Sequence, residues 1–249
     1  MNRQQIQNQQ YNFPYHYIPF CDSSQHVWRW RSLRWGFEYW CCMMHIRQRI
    51  LETGAESWLD AGCGDGRLIS LLAEEKNIAV TGIDPCSDAV KYARAFNSDK
   101  NFICGNLDAI DERFDLVTAI EVLEHIEDSE VENFIAAAVS RLNSAGRLLI
   151  GVPAVNKPLS AKHYRHYDEK LLLEHIKPQK IGLQTEQIEF LFAGNDFLYR
   201  VYTSLTDNRL WFIGIRFFER LIWRYTWKNL RKTTPDKAFH LLITLKKAD

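Results

Sequence analysis

Three glycines crowd one short stretch, Asp60-Ala61-Gly62-Cys63-Gly64-Asp65-Gly66. It follows an apolar run and precedes an amphipathic one, the setting of a strand-to-helix turn. Gly62 and Gly64 let the backbone turn tightly and approach a ligand closely. The amides opening the next helix favour an anionic group. Asp84 comes 22 residues after Gly62, and an acid at that distance reaches ribose hydroxyls. A dinucleotide fingerprint requires Gly-x-Gly-x-x-Gly, but Arg67 occupies the place of its third glycine. A phosphate loop requires a lysine, and the first one after the turn is Lys76. What remains is a nucleoside ligand whose anion is a carboxylate.

A second group could act on a bound partner. Glu121, Glu124 and His125 leave a later apolar run. Asn156, Lys157 and the run His163-Tyr164-Arg165-His166-Tyr167 follow the next one. His125, with Glu124 beside it, is a general-base candidate. His163 and His166 join it as candidate catalytic residues on an acceptor-binding lid. An alternative uses nearly the same side chains. Glu121, Glu124 and His125 are spaced i, i+3, i+4 and could share a helix face. With His166 they form a mixed oxygen and nitrogen set suited to Mn²⁺, Fe²⁺ or Co²⁺. The preferred expectation is that no metal is bound.

These residues need a scaffold that brings strand ends together, and the order of elements supplies one. Strands are expected at Ser57–Ala61, Ile78–Ile83, Phe102–Cys104, Leu116–Ile120 and Arg147–Val152. Helices are expected at Arg67–Glu75, Ser87–Phe96 and Glu130–Leu142, the last opened by a Ser129/Glu132 capping box. Repeated βα units make a doubly wound parallel sheet, whose ligands lie beyond the carboxyl ends of the strands. A helix from about Asp168 to Ile176 and strands at Gln184–Phe192 and Ala238–Leu245 complete the chain. At the other end, Met1–Gln10 reads as a disordered tail. Gln25–Glu52 reads as one long helix ended by Thr53-Gly54.

Composition bounds the class. The chain has 249 residues, with 31 basic and 31 acidic side chains, so it is not a nucleic-acid-type polycation. The six cysteines include no Cys-x-x-Cys pair, which argues against a zinc knuckle or disulfide scaffold and for a reduced, cytoplasmic protein. Met1–Gln10 lacks the apolar core of a secretory signal. No run reaches the ~18 apolar residues of a membrane span.

Residues 57 to 152 resemble a class I S-adenosylmethionine-dependent methyltransferase. Asp60 to Gly66 matches the family's first motif, Ile83-Asp84 its acidic ribose clamp, and Gly105-Asn106-Leu107 its adenine contact. Phe114 to Val117 and Glu121 to Ile126 match its fourth strand and exit. The resemblance implies a seven-stranded Rossmann-like α/β sheet with an antiparallel C-terminal strand pair. It implies S-adenosylmethionine as cofactor, held by Asp60, Gly62, Cys63, Gly64, Asp84, Asn106, Leu107 and Glu121. The metal alternative resembles small-RNA 3′-terminal ribose 2′-O-methyltransferases, through Glu-x-x-Glu-His and Arg165-His166-Tyr167-Asp168. A non-catalytic binder of the cofactor is a third reading. Residues 1–52 are expected to form a tail and helical lid, and 53–249 the methyltransferase domain. Tyr15-His16-Tyr17-Ile18-Pro19 and Lys162 to Tyr167 loosely resemble bacterial methyltransferases that often accompany surface-glycan synthesis, which implies a small-molecule or glycan acceptor; no nucleic acid is expected in the preferred reading.

Residues 197–249 hold eleven Lys/Arg against four Asp/Glu. Arg216, Arg220, Arg224 and Lys228 recur every fourth residue within an aromatic stretch. This inserted helix, at about 197–235, is expected to be packed core or a peripheral membrane contact through 209–232, with RNA binding through stacked aromatics as a further alternative.

Overall fold

The computed structural model describes residues 2–9, 11, 20–21, 27–28, 33–72, 78–206, 210–211 and 213–248. Its elements are α1 (Arg3–Gln9), β1 (Phe20–Cys21), β2 (Val27–Trp28), α2 (Leu33–Glu52), β3 (Ser57–Ala61), α3 (Arg67–Ser70) and β4 (Ala79–Asp84). Next come α4 (Ser87–Phe96), β5 (Asn101–Cys104), β6 (Phe114–Ile120), α5 (Asp128–Ser140), β7 (Leu142–Pro153) and α6 (Glu169–Ile176). The chain closes with β8 (Leu183–Ala193), α7 (Phe197–Thr206), α8 (Arg216–Tyr225) and β9 (Ala238–Lys247).

Seven strands form one sheet in the order β5-β4-β3-β6-β7-β9-β8. β3 to β7 are parallel, and β9 runs antiparallel between β7 and β8. The chain winds outward from β3 to β5 and then returns to the other side of β3 with β6. The carboxyl ends of β3 and β6 therefore flank the switch point, where such sheets bind ligands. Alternating residues feed two apolar layers. Leu148, Ile150 and Ile243 face α5 and α6. Leu149, Leu242 and Trp58 face Ile46 and Ile50 of α2, together with Leu68 and Val90. Burial of a side chain as large as Ile50 contributes about 2 kcal/mol, so α2 is held firmly on the sheet that it overhangs.

Several expectations need correction. The N-terminal tail is not wholly irregular: Arg3–Gln9 is helical. Arg3 Nε donates to the His163 carbonyl at 3.0 Å, and its guanidinium lies 4.6 Å from the Tyr164 ring centre. The long helix begins at Leu33 rather than Gln25, because Val27–Trp28 pairs with Phe20–Cys21. The side chains of Trp28, Trp30 and Trp35 lie outside the described residues. α3 ends at Ser70, with turns through Leu72, and residues 73–77 also lie outside. The Ser129/Glu132 capping box does not form. α5 starts at Asp128 with Glu127 as its N-cap, which places Ser129 inside the first turn. Asp168, in contrast, caps α6 by accepting from the Leu171 amide at 2.7 Å. The basic aromatic stretch is helical only from Arg216, continues as a π turn over Thr226–Leu230, and is preceded by the separate helix α7. Among the described residues, no helix is long and apolar enough to cross a membrane.

Candidate active site

A cavity of about 1040 Å³ opens at the switch point. One end is built from the glycine turn. Gly62 sits at φ 80°, and a Cβ there would lie 2.5 Å from Val122 Cγ2. Gly64 sits at φ 54°, with the Tyr11 hydroxyl 2.8 Å from where its Cβ would be. The turn is closely covered, and a side chain at either position would meet a neighbour.

Its amides are already engaged. Gly62 and Cys63 donate to the Ile83 carbonyl at 2.8 and 3.0 Å, and Gly66 donates to the Cys63 carbonyl at 2.9 Å. Gly64 donates to Asp84 Oδ2 at 3.0 Å, and Arg67 to Asp65 Oδ1 at 3.2 Å. These five amides are therefore directed within the chain rather than at an anion. The turn instead fixes Asp84, whose Oδ1 also accepts from the Cys86 amide at 2.8 Å. Burial raises the Asp84 pKa despite these bonds.

Asp60, Cys63, Asn106 and Leu107 also line the cavity. Thr118 Oγ1 donates to Asp60 Oδ1 at 2.6 Å while accepting from Trp58 Nε1 at 2.8 Å. Burial pushes the Asp60 carboxyl up to about 7. The Cys63 thiol is buried, and burial raises its pKa well above the ordinary range, so it is not a reactive thiolate. Asn106 is exposed at the rim and Leu107 is buried beneath it.

Beyond β6 the chain enters Glu121 at φ 57°, a left-handed conformation that costs a non-glycine residue about 1 kcal/mol. It joins a charged cluster that the sequence reading missed. His240 Nδ1 lies 3.0 Å from Glu121 Oε1, and its Nε2 lies 2.9 Å from Glu38 Oε1. Lys157 Nζ is 2.6 Å from the same Glu38 oxygen. Two carboxylates facing both ring nitrogens require an N–H on each, so His240 is an imidazolium. Burial disfavours that charge, but the surrounding groups, Cys42 and Glu121 foremost, raise the His240 pKa well above the ordinary range. Burial likewise works against Glu38, yet His240 and Lys157 hold it down at about 2. One signal was available: an antiparallel last strand starts at the carboxyl edge, and Pro153 of β7 pairs with His240 of β9.

The other end of the cavity is lined by Glu124, His125 and His163. His125 Nδ1 donates to the Lys162 carbonyl at 3.2 Å. His166 Nδ1 donates to the Lys157 carbonyl at 3.0 Å, leaving its Nε2 to accept from His163 Nδ1 at 2.8 Å. These bonds fix the tautomers and leave the Nε2 lone pairs of His125 and His163 available. Burial, then Lys162, lowers His125 to about 4. Burial, then His125, lowers His163 to about 3. Both rings are neutral at pH 7. Glu124 is fully buried, neither of its carboxyl oxygens has a hydrogen-bond partner, Oε1 lies 3.8 Å from His125 Nε2, and burial raises its pKa well above the ordinary range.

The five-residue run 163–167 divides its work. His163 and Tyr164 line the cavity, whereas His166 stands behind His163. Arg165 donates to the carbonyls of Leu123 at 2.8 Å and Ile126 at 2.6 Å, clamping the turn that carries His125. The metal alternative joined Glu121, Glu124, His125 and His166. The structure instead gathers Glu124, His125 and His163, with ligand atoms within 4.8 Å of one another. Glu121 is turned to His240.

Residues 27–197 match a family described as a methyltransferase domain. The mitochondrial ubiquinone biosynthesis O-methyltransferase of Mus musculus is 35% identical over 133 residues, covering 45% of this chain and 35% of that protein. Its counterpart in Coxiella burnetii (strain Dugway 5J108-111) is 28% identical over 129 residues, covering 49% of this chain and 53% of that one. The chain therefore spans about half or less of these curated relatives. Magnesium protoporphyrin IX methyltransferase from Synechocystis PCC 6803, with bound SAH, superposes with a TM-score of 0.62 at 13% identity, over 98% of this chain and 100% of that one. Burkholderia thailandensis 1,6-didemethyltoxoflavin-N1-methyltransferase, with bound 1,6-didemethyltoxoflavin and S-adenosylhomocysteine, does so with 0.54 at 18%, over 86% and 81%. Identities this low speak for the fold alone. The family match, which covers most of the chain and both the glycine turn and the exit of β6, carries the assignment: this protein belongs to the class I S-adenosylmethionine-dependent methyltransferases.

Proposed function

We propose that the chain transfers a methyl group from S-adenosylmethionine to an oxygen or nitrogen of a small-molecule acceptor. The observation that carries this reading is one cavity with two chemically distinct ends. The glycine turn and Asp84 form one end, and two neutral histidines with open Nε2 atoms form the other. The cavity of about 1040 Å³ has the room that the cofactor needs, and the glycine turn, Asp84, Asn106 and Leu107 all line it, so the residues present fit it. When bound, S-adenosylmethionine supplies a methyl group on a sulfonium.

Asp84 would hold the ribose hydroxyls, and Asn106 and Leu107 the base. Asp60, Gly62, Cys63 and Gly64 form the wall between them. Glu121, kept ionised by His240 and Lys157, would face the cofactor's ammonium. His125 or His163 takes the proton that an acceptor hydroxyl or amine loses, at Nε2. The chain also aligns the acceptor, since proximity and orientation dominate such transfers. α1 and α2 cover the site as a lid within 1–52, over the domain 53–249. An oxygen acceptor is favoured by the names of the relatives, which are O-methyltransferases. Within that class the reading extends to a saccharide or lipid-linked glycan intermediate, methylated at the cytoplasmic face of a membrane that the 209–232 region touches. A screen of ubiquinone-biosynthesis intermediates, saccharides and lipid-linked saccharides with methyl-labelled cofactor tests this. Label in an acceptor supports it, and cofactor binding without transfer to any acceptor would leave a binding module.

One observation favours a second reading. The Glu124 carboxyl, which has no hydrogen-bond partner, and two histidine lone pairs converge. They could hold a divalent transition metal, which would polarise an acceptor hydroxyl. Tetrahedral ligands at ~2.1 Å sit about 3.4 Å apart, so this set would have to close from its spread of up to 4.8 Å. Elemental analysis after purification decides. About one equivalent per chain, with activity lost on chelation, would replace the metal-free reading.

A further inference from the structure

Eleven of the fourteen large apolar side chains that are exposed among the described residues fall between 197 and 221. They belong to the insertion between β8 and β9. This insertion is folded onto the molecule. Tyr199 of α7 meets Phe37 of α2 and Phe192 of β8 edge-on, with ring centres 6.4 and 5.3 Å apart. The Tyr225 hydroxyl at the end of α8 donates to Asp196 Oδ2 at 2.8 Å, ahead of α7. On α8 and its π turn, Ile222, Thr226 and Leu230 point inward at successive turns. The opposite face is solvent-exposed along its length. It interleaves Phe217 and Leu221, 65% and 46% exposed, with Arg220, Arg224 and Lys228.

We propose that this outward face of α8, continued by the exposed apolar side of α7, docks the protein on an anionic bilayer surface. The inference deepens the membrane contact proposed above but does not depend on methyl transfer. Apolar and basic side chains share one face rather than opposing ones. With the inward face packed on the domain, the outward face alone can meet a surface: its rings enter the acyl boundary while the long arginine and lysine side chains extend to lipid phosphates. The same arrangement disfavours a second copy as occupant, because a two-fold contact would set Arg220, Arg224 and Lys228 against themselves. Since α2 carries the insertion on Phe37 and lines the cavity with the adjacent Glu38 and Tyr39, docking would place the cavity close to the surface from which a lipid-linked acceptor is drawn.

The test is co-sedimentation of the full chain with phosphatidylglycerol/phosphatidylcholine vesicles and with phosphatidylcholine vesicles, at low and high salt. Each basic side chain near an anionic surface strengthens binding about fivefold. Arg220→Gln/Arg224→Gln/Lys228→Gln should therefore weaken anionic-vesicle binding about a hundredfold. Phe217→Ser/Leu221→Ser should weaken it at both salt concentrations. Cofactor affinity, titrated on the same samples, should be unchanged in both variants. Wild-type protein left in the supernatant with anionic vesicles at low salt would overturn the proposal, as would a triple variant that binds like wild type. Dimerisation abolished by Phe217→Ser/Leu221→Ser would assign the face to a second copy. Loss of cofactor binding in the wild type would instead strike the methyltransferase reading and leave the docking result standing.

Discussion

At the cofactor end of the cavity, the amides of Gly62, Cys63, Gly64, Gly66 and Arg67 all have acceptors within the chain. At the acceptor end, Glu124 is buried with both oxygens lacking a hydrogen-bond partner, and two histidines hold open lone pairs. The first end is a backbone turn that holds the Asp84 carboxylate, with these hydrogen bonds made before any ligand arrives. The second is made of side chains and satisfied only in part. Buried polar groups are normally paired, so unpaired ones concentrated at one end mark where a partner must enter. The difference teaches that cofactor binding should tolerate changes to the acceptor-end side chains, whereas turnover should not.

The largest effect that sharpens this contrast is expected at the histidines. His125→Ala or His163→Ala, whichever ring is the base, should lower kcat by ~10²–10⁴ while cofactor affinity stays within twofold. Steady-state kinetics with the acceptor found in the screen would show it, and loss confined to cofactor binding would invert the two ends. The pH profile adds a check. With His125 at about 4 and His163 at about 3, the base form persists through neutrality. The rising limb of kcat should therefore lie below about pH 5. A limb near 6.5 would mean that neither ring is shifted as its burial requires.

A smaller effect concerns the clamp beneath Glu121. His240→Ala leaves Glu38 and Glu121 without their shared cation. Removing one partner from a buried charge pair costs about 3–5 kcal/mol. Glu121 is partly open to solvent, so about 2 kcal/mol is expected here, read from denaturant melts. The acid side has a definite sign. Glu38 is depressed from an ordinary 4.5 to about 2. Its contribution is fully present above about pH 4.5 and fades as pH falls toward 2. His240 works oppositely, since its raised pKa makes its contribution complete below about 6.5 and lost only as pH rises through the raised value. A His240→Ala protein that melts in parallel with wild type from pH 2 to 7 would remove the clamp from the account.

The smallest effect is at Cys63. Its thiol is buried and held protonated, so Cys63→Ala should change cofactor affinity by under 1 kcal/mol. Calorimetric titration showing a tenfold loss would mean that the thiol, not only the backbone, shapes the cofactor end.

The same contrast explains what was legible in the sequence. Turn, ribose acid and parallel strands are short-range features: Gly62, Gly64 and Asp84 follow one another along a single βαβ unit, and β3 spans Ser57–Ala61 as expected. The acceptor end is assembled at long range. Glu38 and His240 are 202 residues apart in the chain yet share a contact. His163 and His166 looked equivalent by spacing, but the irregular loop that carries them puts one in the cavity and the other behind it. The capping box failed because a start signal two residues earlier won, with Asp128 already in the first turn of α5. The N-terminal helix escaped notice because glutamines and asparagines carry no apolar period; it is tied down by Arg3 contacts to a distant loop.

The division of the cavity is tested most directly by titrating S-adenosylmethionine into three proteins: wild type, Asp84→Ala and His125→Ala/His163→Ala. Charge-assisted bonds from a carboxylate to two hydroxyls contribute about 2–3 kcal/mol. Asp84→Ala should therefore bind the cofactor about 30- to 150-fold more weakly, while the double histidine variant binds like wild type. Equal affinities for wild type and Asp84→Ala, or a loss of comparable size in the histidine variant, would contradict the assignment of cofactor and acceptor to opposite ends.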